Sequence, residues 1–195
     1  MKKIISLLLV LVCAVSIVSC TENGPDHFKA FNDANAATSP STVTLTVQQV
    51  QANATLNATF NITYNEDGSS VIVYSRDEFA PIGSGSADSI LTTVTGTVTC
   101  DKNGVYSDGG EFAGTSTVVT GTAFNFDSSK MTATFSTDGN VLNATISAEN
   151  TAAVLGVAIA NDVTLTVTKN ADKIVSFTIE YTATEGPVYI NCIYG

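Results

Sequence analysis

Apolar and polar residues alternate with a period of two along most of the chain, from about residue 42 to its end. In one segment every second residue is apolar: Leu56, Ala58, Phe60, Ile62 and Tyr64. Successive side chains of a β-strand point to opposite faces of the sheet. This segment therefore predicts a strand with one apolar face and one polar face.

The same alternation recurs in further segments that are separated by turn sequences. Strands are predicted at 43–47, 71–79, 90–100, 115–126, 131–136, 141–148, 163–167, 174–183 and 188–194. Several of the connections are rich in Asp, Asn, Gly and Ser, which are the residues that favour tight turns. About ten strands with short connections predict a mainly β domain at 42–195, built on a large antiparallel sheet.

Two segments depart from the alternation and predict short helices. Residues 25–34 begin with Pro, which costs no hydrogen bond at the first helical position, and they place Phe28 and Phe31 on one face. Residues 150–156 begin with capping residues and end in Gly, which favours a helix of one or two turns. A continuous β ribbon is the alternative for the second segment.

Two glycines, Gly96 and Gly121, fall inside predicted strands in the similar sequences Thr-Val-Thr-Gly-Thr and Val-Val-Thr-Gly-Thr. A glycine inside a strand often marks a bulge or a bend. We therefore expect the sheet to curl at these two positions.

The N-terminus has the features of an export signal. The chain starts with Met-Lys-Lys, continues with an apolar stretch at 4–18 and closes with Ile17-Val18-Ser19-Cys20. A basic start followed by a short apolar region is typical of a signal peptide. An ordinary secretory signal and an uncleaved anchor helix are the alternatives.

The tetrapeptide Ile17-Val18-Ser19-Cys20 resembles the lipobox of bacterial lipoproteins. The resemblance implies a signal peptide at 1–19, cleavage before Cys20 and a diacylglyceryl group on the Cys20 thiol. Such lipid chains anchor a protein stably when two or more are present. The expectation is an exported protein held by lipid in the cell membrane or the outer membrane, with a tether at 20–41 that contains the first helix.

Composition and charge exclude several classes of protein. Hydrophobic residues make up 44% of the chain and charged residues 13%, which is incompatible with a wholly disordered chain. The formal net charge of −10 excludes the cationic surface that nucleic-acid binding requires. Arg76 is the only arginine in the sequence.

The thiols and the histidine define what chemistry the chain can carry. Cys100 and Cys192 share strand parity with apolar neighbours, so we expect both in the core, either as a disulfide or as two free thiols. His27 is the only histidine and lies in the tether, so the sequence predicts neither a metal site nor a catalytic site. No cofactor is expected.

An antiparallel sheet that is wet on one face must cover its other face with a second sheet, with helices or with a ligand. The order of elements, with a helix before the first hairpin and a helical turn before the last strands, resembles half-barrel envelope proteins behind the lipobox. These are the lipoprotein carrier LolA and the glycolipid-carrying lipoproteins of the LprG/LppX type. The resemblance implies a curled antiparallel half-barrel with one or two short helices; a β-sandwich is the alternative.

These half-barrel proteins hold acyl chains in an apolar cavity between the sheet and its helices. The resemblance assigns the lining of such a cavity to Phe60, Ile62, Tyr64, Val94, Val98, Val154 and Leu155, whereas the alternative makes them ordinary core residues. The function expected from it is non-enzymatic binding or carriage of a lipid or another amphiphile. A structural or adhesive surface module without a small ligand is the alternative.

Overall fold

The computed structural model describes residues 25–82, 89–108 and 124–195. The predicted signal peptide, the lipobox with Cys20, and Gly121 lie outside the described residues. Most of the predicted strand 115–126 lies outside them as well.

Nine antiparallel strands form one sheet in the order β4-β3-β2-β1-β9-β8-β7-β6-β5. The strands are β1 (Thr42–Val50), β2 (Thr55–Tyr64), β3 (Ser70–Pro81), β4 (Ser89–Cys100), β5 (Thr132–Phe135), β6 (Val141–Ile146), β7 (Val163–Asn170), β8 (Lys173–Ala183) and β9 (Gly186–Tyr194). The first and last strands pair with each other in the middle of the order. The sheet is curled and unclosed, so the predicted half-barrel is confirmed and the sandwich alternative is not.

Within the described residues, two α-helices accompany the sheet, α1 (Pro25–Ala37) and α2 (Thr151–Leu155). Both predicted helices are therefore confirmed. Helix α2 ends at Gly156, whose φ of 74° lies in the left-handed region that suits a helix C-terminus.

Helix α1 packs against β8 and contributes Phe28, Phe31 and Ala34 to the hydrophobic core. Phe31 is completely buried, and its ring centroid lies 5.8 Å from those of Phe126 and Phe135. The helix thus belongs to the folded body, although the sequence places it within a tether at 20–41.

The segment from Phe124 to Phe126 is not a strand, contrary to the prediction for the end of 115–126. Its backbone bonds to both helices instead of a neighbouring strand, and the Asn125 N–H donates to the Val154 carbonyl of α2 at 2.9 Å. The Asn32 amide donates to the Phe126 carbonyl at 2.8 Å and accepts from the Phe126 N–H at 2.9 Å, while Asn35 donates to the Phe124 carbonyl at 3.1 Å. Phe124 and Phe126 are both buried in the hydrophobic core, where the Phe126 ring packs against Phe31 of α1.

Candidate functional site

The inner face of the sheet is buried on strands β5 to β8 and partly exposed to solvent on strands β9 and β1 to β4. One row of paired residues crosses all nine strands: Ala133, Ala144, Leu165, Ile179, Ile190, Val47, Ala58, Arg76 and Val94. The first four, on β5 to β8, are buried, and the last five, on β9 and β1 to β4, are half-buried. We call those five, Ile190, Val47, Ala58, Arg76 and Val94, the open row.

The opening widens along the edge strand β4. Among its inward-facing residues, Val98 is 4% exposed, Val94 is half-buried and Ile90 is 58% exposed. The row next to the open row on the Val98 side contains buried Phe60 and Leu45. On the edge strand β4, the open row therefore lies between a buried and a solvent-exposed residue of the inner face, and we call the exposed end of β4 the mouth.

The residues predicted to line a cavity divide between this surface and the core. Phe60, Ile62 and Val98 are buried on the inner faces of β2 and β4, and only Val94 of the predicted set belongs to the open row. Tyr64 is 37% exposed at the end of β2.

The remaining two predicted lining residues, Val154 and Leu155, are buried in α2 and belong to the same hydrophobic cluster as the sheet residues. That the predicted set lines a ligand cavity stays a prediction.

Arg76 is the feature of this surface that the sequence analysis did not assign. Its guanidinium carbon lies 5.8 Å from the centroid of the Tyr74 ring, and its Nη2 lies 3.5 Å from Glu78 Oε2. Its Nε is shielded from solvent and has no hydrogen-bond partner among the described residues. Burying a donor without an acceptor costs about 1–3 kcal/mol. The signal was present in the alternation of β3, since Ile72, Tyr74 and Arg76 share one parity.

The Tyr74 ring occupies space on β4 that is left free because its cross-strand partner, Gly96, has no side chain. Tyr74 pairs with Gly96 on β4, and a Cβ atom at Gly96 would lie 2.6 Å from the Tyr74 hydroxyl oxygen. The register between β3 and β4 is continuous through this pair. Of the bulge or bend expected at Gly96, the continuous register excludes the bulge, and the glycine makes room for the ring. A bend of the sheet at Gly96 stays a prediction.

The two thiols are free and lie on strands that β1, β2 and β3 separate. Cys192 is completely buried on β9, and burial raises the pKa of its thiol to about 12. Cys100 is half-buried at the end of β4, where it lines a shallow groove of about 330 Å³ together with Tyr106. Of the two alternatives, the structure contains the free thiols, because the strand order keeps the cysteines apart.

The tyrosines near Cys192 mark the closed end of the inner face. Burial raises the pKa of Tyr194, and the neighbouring Cys192 and Tyr64 raise it further. Burial is also the main cause of the raised pKa of Tyr64. These shifts describe phenols that stay neutral in an apolar setting.

The outer face of the sheet carries many amide and hydroxyl side chains, together with the exposed apolar residues Val73, Phe79, Leu91, Tyr189 and Ile193. A shallow groove of about 370 Å³ crosses β2, β1, β9 and β8, and outward-facing side chains such as Gln48, Asn57 and Tyr189 line it. Gln48 donates to Asn57 at 3.1 Å, and Asn57 donates to Asp77 at 3.1 Å. The Thr93 hydroxyl and the Asn57 donors lower the pKa of Asp77. Hydrogen bonds between amide, carboxylate and hydroxyl side chains thus link β1, β2, β3 and β4 on the outer face.

Within the described ranges, no three His, Cys, Asp or Glu side chains come together in a way that would hold a metal ion. Over the same part of the chain, no helix has the length and apolar character needed to cross a bilayer.

No family model and no curated protein matches the chain. Two solved structures are similar to it at low identity. LprF from Mycobacterium bovis is 14% identical over 87% of this chain and 92% of LprF, with a TM-score of 0.45. The redesigned β-barrel mFAP1 bound to DFHBI is 13% identical over 83% of this chain and 99% of the barrel, with a TM-score of 0.23.

Proposed function

We propose that the chain is a lipid-anchored envelope lipoprotein that binds an amphiphile on the open half of its inner face and acts without catalysis. The observation that carries this proposal is the open row. Four of its five members are apolar, and all five stay half-exposed while the same row on β5 to β8 is buried. Apolar side chains on the inside of a sheet are normally covered.

Covering this surface with an alkyl chain is favourable. Removing apolar surface from water contributes about 25 cal/mol per Å². The half-buried side chains of Val47, Ala58 and Ile190 already pack against the core, so they offer a firm surface rather than a mobile one. An alkyl chain along these strands would replace water there, while the exposed end of β4 leaves room for a polar head.

The anchoring part of the proposal depends on Cys20. The test is metabolic labelling with a palmitate analogue in a bacterial host, comparing the natural chain with the Cys20→Ala variant. We expect label and membrane association in the natural chain and neither in the variant. Label that persists in Cys20→Ala, or a natural chain without label, would disprove acylation at this site.

Ligand binding is tested on the complete mature polypeptide made free of acyl groups as the Cys20→Ala variant. Native mass spectrometry is expected to show a bound amphiphile, and the protein is expected to take up the neutral fluorescent probe phenylnaphthylamine. Protein that carries no amphiphile and takes up no probe would overturn the proposal.

Two neighbouring positions on β2 provide a matched pair of variants. Ala58 lies in the open row, whereas Thr59 faces the outer groove. Ala58→Glu is expected to abolish probe uptake because it places a charge on the apolar surface, and Thr59→Glu is expected to leave uptake unchanged. Circular dichroism shows whether both variants fold, and Val94→Gln replaces Ala58→Glu if that variant does not. Uptake that survives all inner-face substitutions would place the probe elsewhere.

A further inference from the structure

We infer that the amphiphile has an anionic head, a phosphate or a carboxylate, and that Arg76 binds it. This inference rests on the proposed function and adds the charge and the position of the polar group. Arg76 is a member of the open row, so a head bound there would leave the alkyl chain against the neighbouring apolar strands.

Arg76 places a positive charge on the inner face of a protein that is acidic overall. The chain has a formal net charge of −10, so its surface as a whole repels anions. The described lysines lie in turns, near strand ends or on the exposed surface of α1: Lys29, Lys102, Lys130, Lys169 and Lys173. Arg76 instead stands on the inner face, where its row neighbours Ala58 and Val94 are apolar.

The guanidinium has hydrogen-bonding capacity to spare. Arginine carries five N–H donors in a planar fork, which matches the two oxygens of a carboxylate or phosphate. Nε of Arg76 is shielded and has no acceptor in the part of the chain that the structure describes, and the contact from Nη2 to Glu78 is long, at 3.5 Å. An anionic head that drew the guanidinium off the Tyr74 ring would supply acceptors for these donors.

Glu78 is the competitor for that head. It lies two residues along β3 on the same face, toward the exposed mouth, and the two side chains are 39% and 43% exposed. An ion pair this exposed contributes little to stability, so an incoming anion can displace it. Glu78 also explains how the arginine is kept partly neutralised when no ligand is present.

The test compares probes that share an alkyl chain and differ in the head: dodecyl phosphate, dodecanol and dodecyltrimethylammonium. Each competes with phenylnaphthylamine for the acyl-free mature polypeptide. We expect dodecyl phosphate to bind about tenfold more tightly than dodecanol, because a charge-assisted bidentate contact is added. Dodecyltrimethylammonium is expected to bind more weakly than dodecanol, and inorganic phosphate is expected not to compete.

Four variants locate the effect. Arg76→Gln is expected to remove the preference for dodecyl phosphate and leave dodecanol affinity unchanged, and Arg76→Lys to retain part of it because the charge remains without the fork. Glu78→Gln is expected to strengthen dodecyl phosphate binding severalfold by removing the competing carboxylate. Lys173→Gln removes a distant exposed cation and is expected to change nothing.

The outcomes separate this inference from the proposed function. If dodecanol and dodecyl phosphate bind the natural polypeptide equally, or if Arg76→Gln keeps the preference, Arg76 does not bind the head and amphiphile binding itself still stands. The same holds if inorganic phosphate competes as well as dodecyl phosphate does, since the site then takes free anions. If none of the three alkyl probes displaces phenylnaphthylamine, both proposals fail.

Discussion

The Asn32 side chain binds the backbone of Phe126 with both ends of its amide, donating to the carbonyl at 2.8 Å and accepting from the N–H at 2.9 Å. These are the two bonds that a neighbouring strand would make to a residue at a sheet edge. A helix side chain thus takes the place of a strand and holds the segment around Phe126 under α1.

Replacing Asn32 with Ala is expected to lower the free energy of unfolding by about 2–4 kcal/mol, since two partly buried backbone groups lose their partners. Urea denaturation measures the change. Asp33→Ala is the control on the same helix, because it removes only the exposed ion pair with Lys29. Alanine favours a helix more than Asn or Asp does, so a loss in Asp33→Ala as large as that in Asn32→Ala would show that the bond to Phe126 is not its source.

Removing α1 is expected to prevent cooperative folding. Phe31 is completely buried between Phe126 and Phe135, and deletion of such a ring typically costs about 3–5 kcal/mol by itself. A chain of residues 42–195 should bind a hydrophobic dye and lack a sharp thermal transition, whereas a chain of residues 25–195 should melt cooperatively. A cooperative transition in the shorter chain would return the helix to the role of a tether.

The sequence predicted the sheet well because the alternation is a local property. The two apolar faces of β1 and β2, for example, follow directly from a period of two. Phe124 and Phe126 show the limit, since their alternation is equally regular, yet their hydrogen-bond partners are Asn side chains about ninety residues away. Nothing in the local sequence shows whether the backbone of this segment bonds to a neighbouring strand or to Asn side chains of a helix.

The sequence predicts which residues of the candidate site face inward, but not which of them remain exposed to solvent. Phe60 and Val94 both face inward as expected, but one is buried and the other is half-exposed because of what lies across the sheet. That difference follows the rows that cross the strands, since Ala58 on β2 is half-buried like Val94 and Val98 on β4 is buried like Phe60; the pairing of strands into rows is not written in any single strand. The charged pair Arg76 and Glu78, on the same parity as Ile72 and Tyr74, was a local sign of a site.

Gly96→Ala is expected to destabilise the protein by about 1 kcal/mol or more, because the new methyl group must displace the Tyr74 ring. In a Tyr74→Ala background the same substitution should be neutral or stabilising, since Ala is less costly than Gly in a strand. A double-mutant cycle by urea denaturation isolates this coupling. Equal effects of Gly96→Ala in both backgrounds would mean that the ring does not occupy the space above the glycine.

The buried thiol of Cys192 is expected to make stability fall at alkaline pH. Its pKa is raised by burial from an ordinary value of 9.0 to about 12. Because the folded state holds the proton more tightly, the stabilisation is complete below pH 9 and is lost as pH rises from about 9 to about 12. The free energy of unfolding should therefore fall more steeply over this range in the natural protein than in Cys192→Ala, which retains burial as the main cause of the raised pKa of Tyr194 and so controls for the phenols. Parallel curves for the two proteins, or thiolate absorbance appearing near pH 9 in the folded state of the mature polypeptide with both Cys20→Ala and Cys100→Ala, would show that Cys192 is not shielded from water.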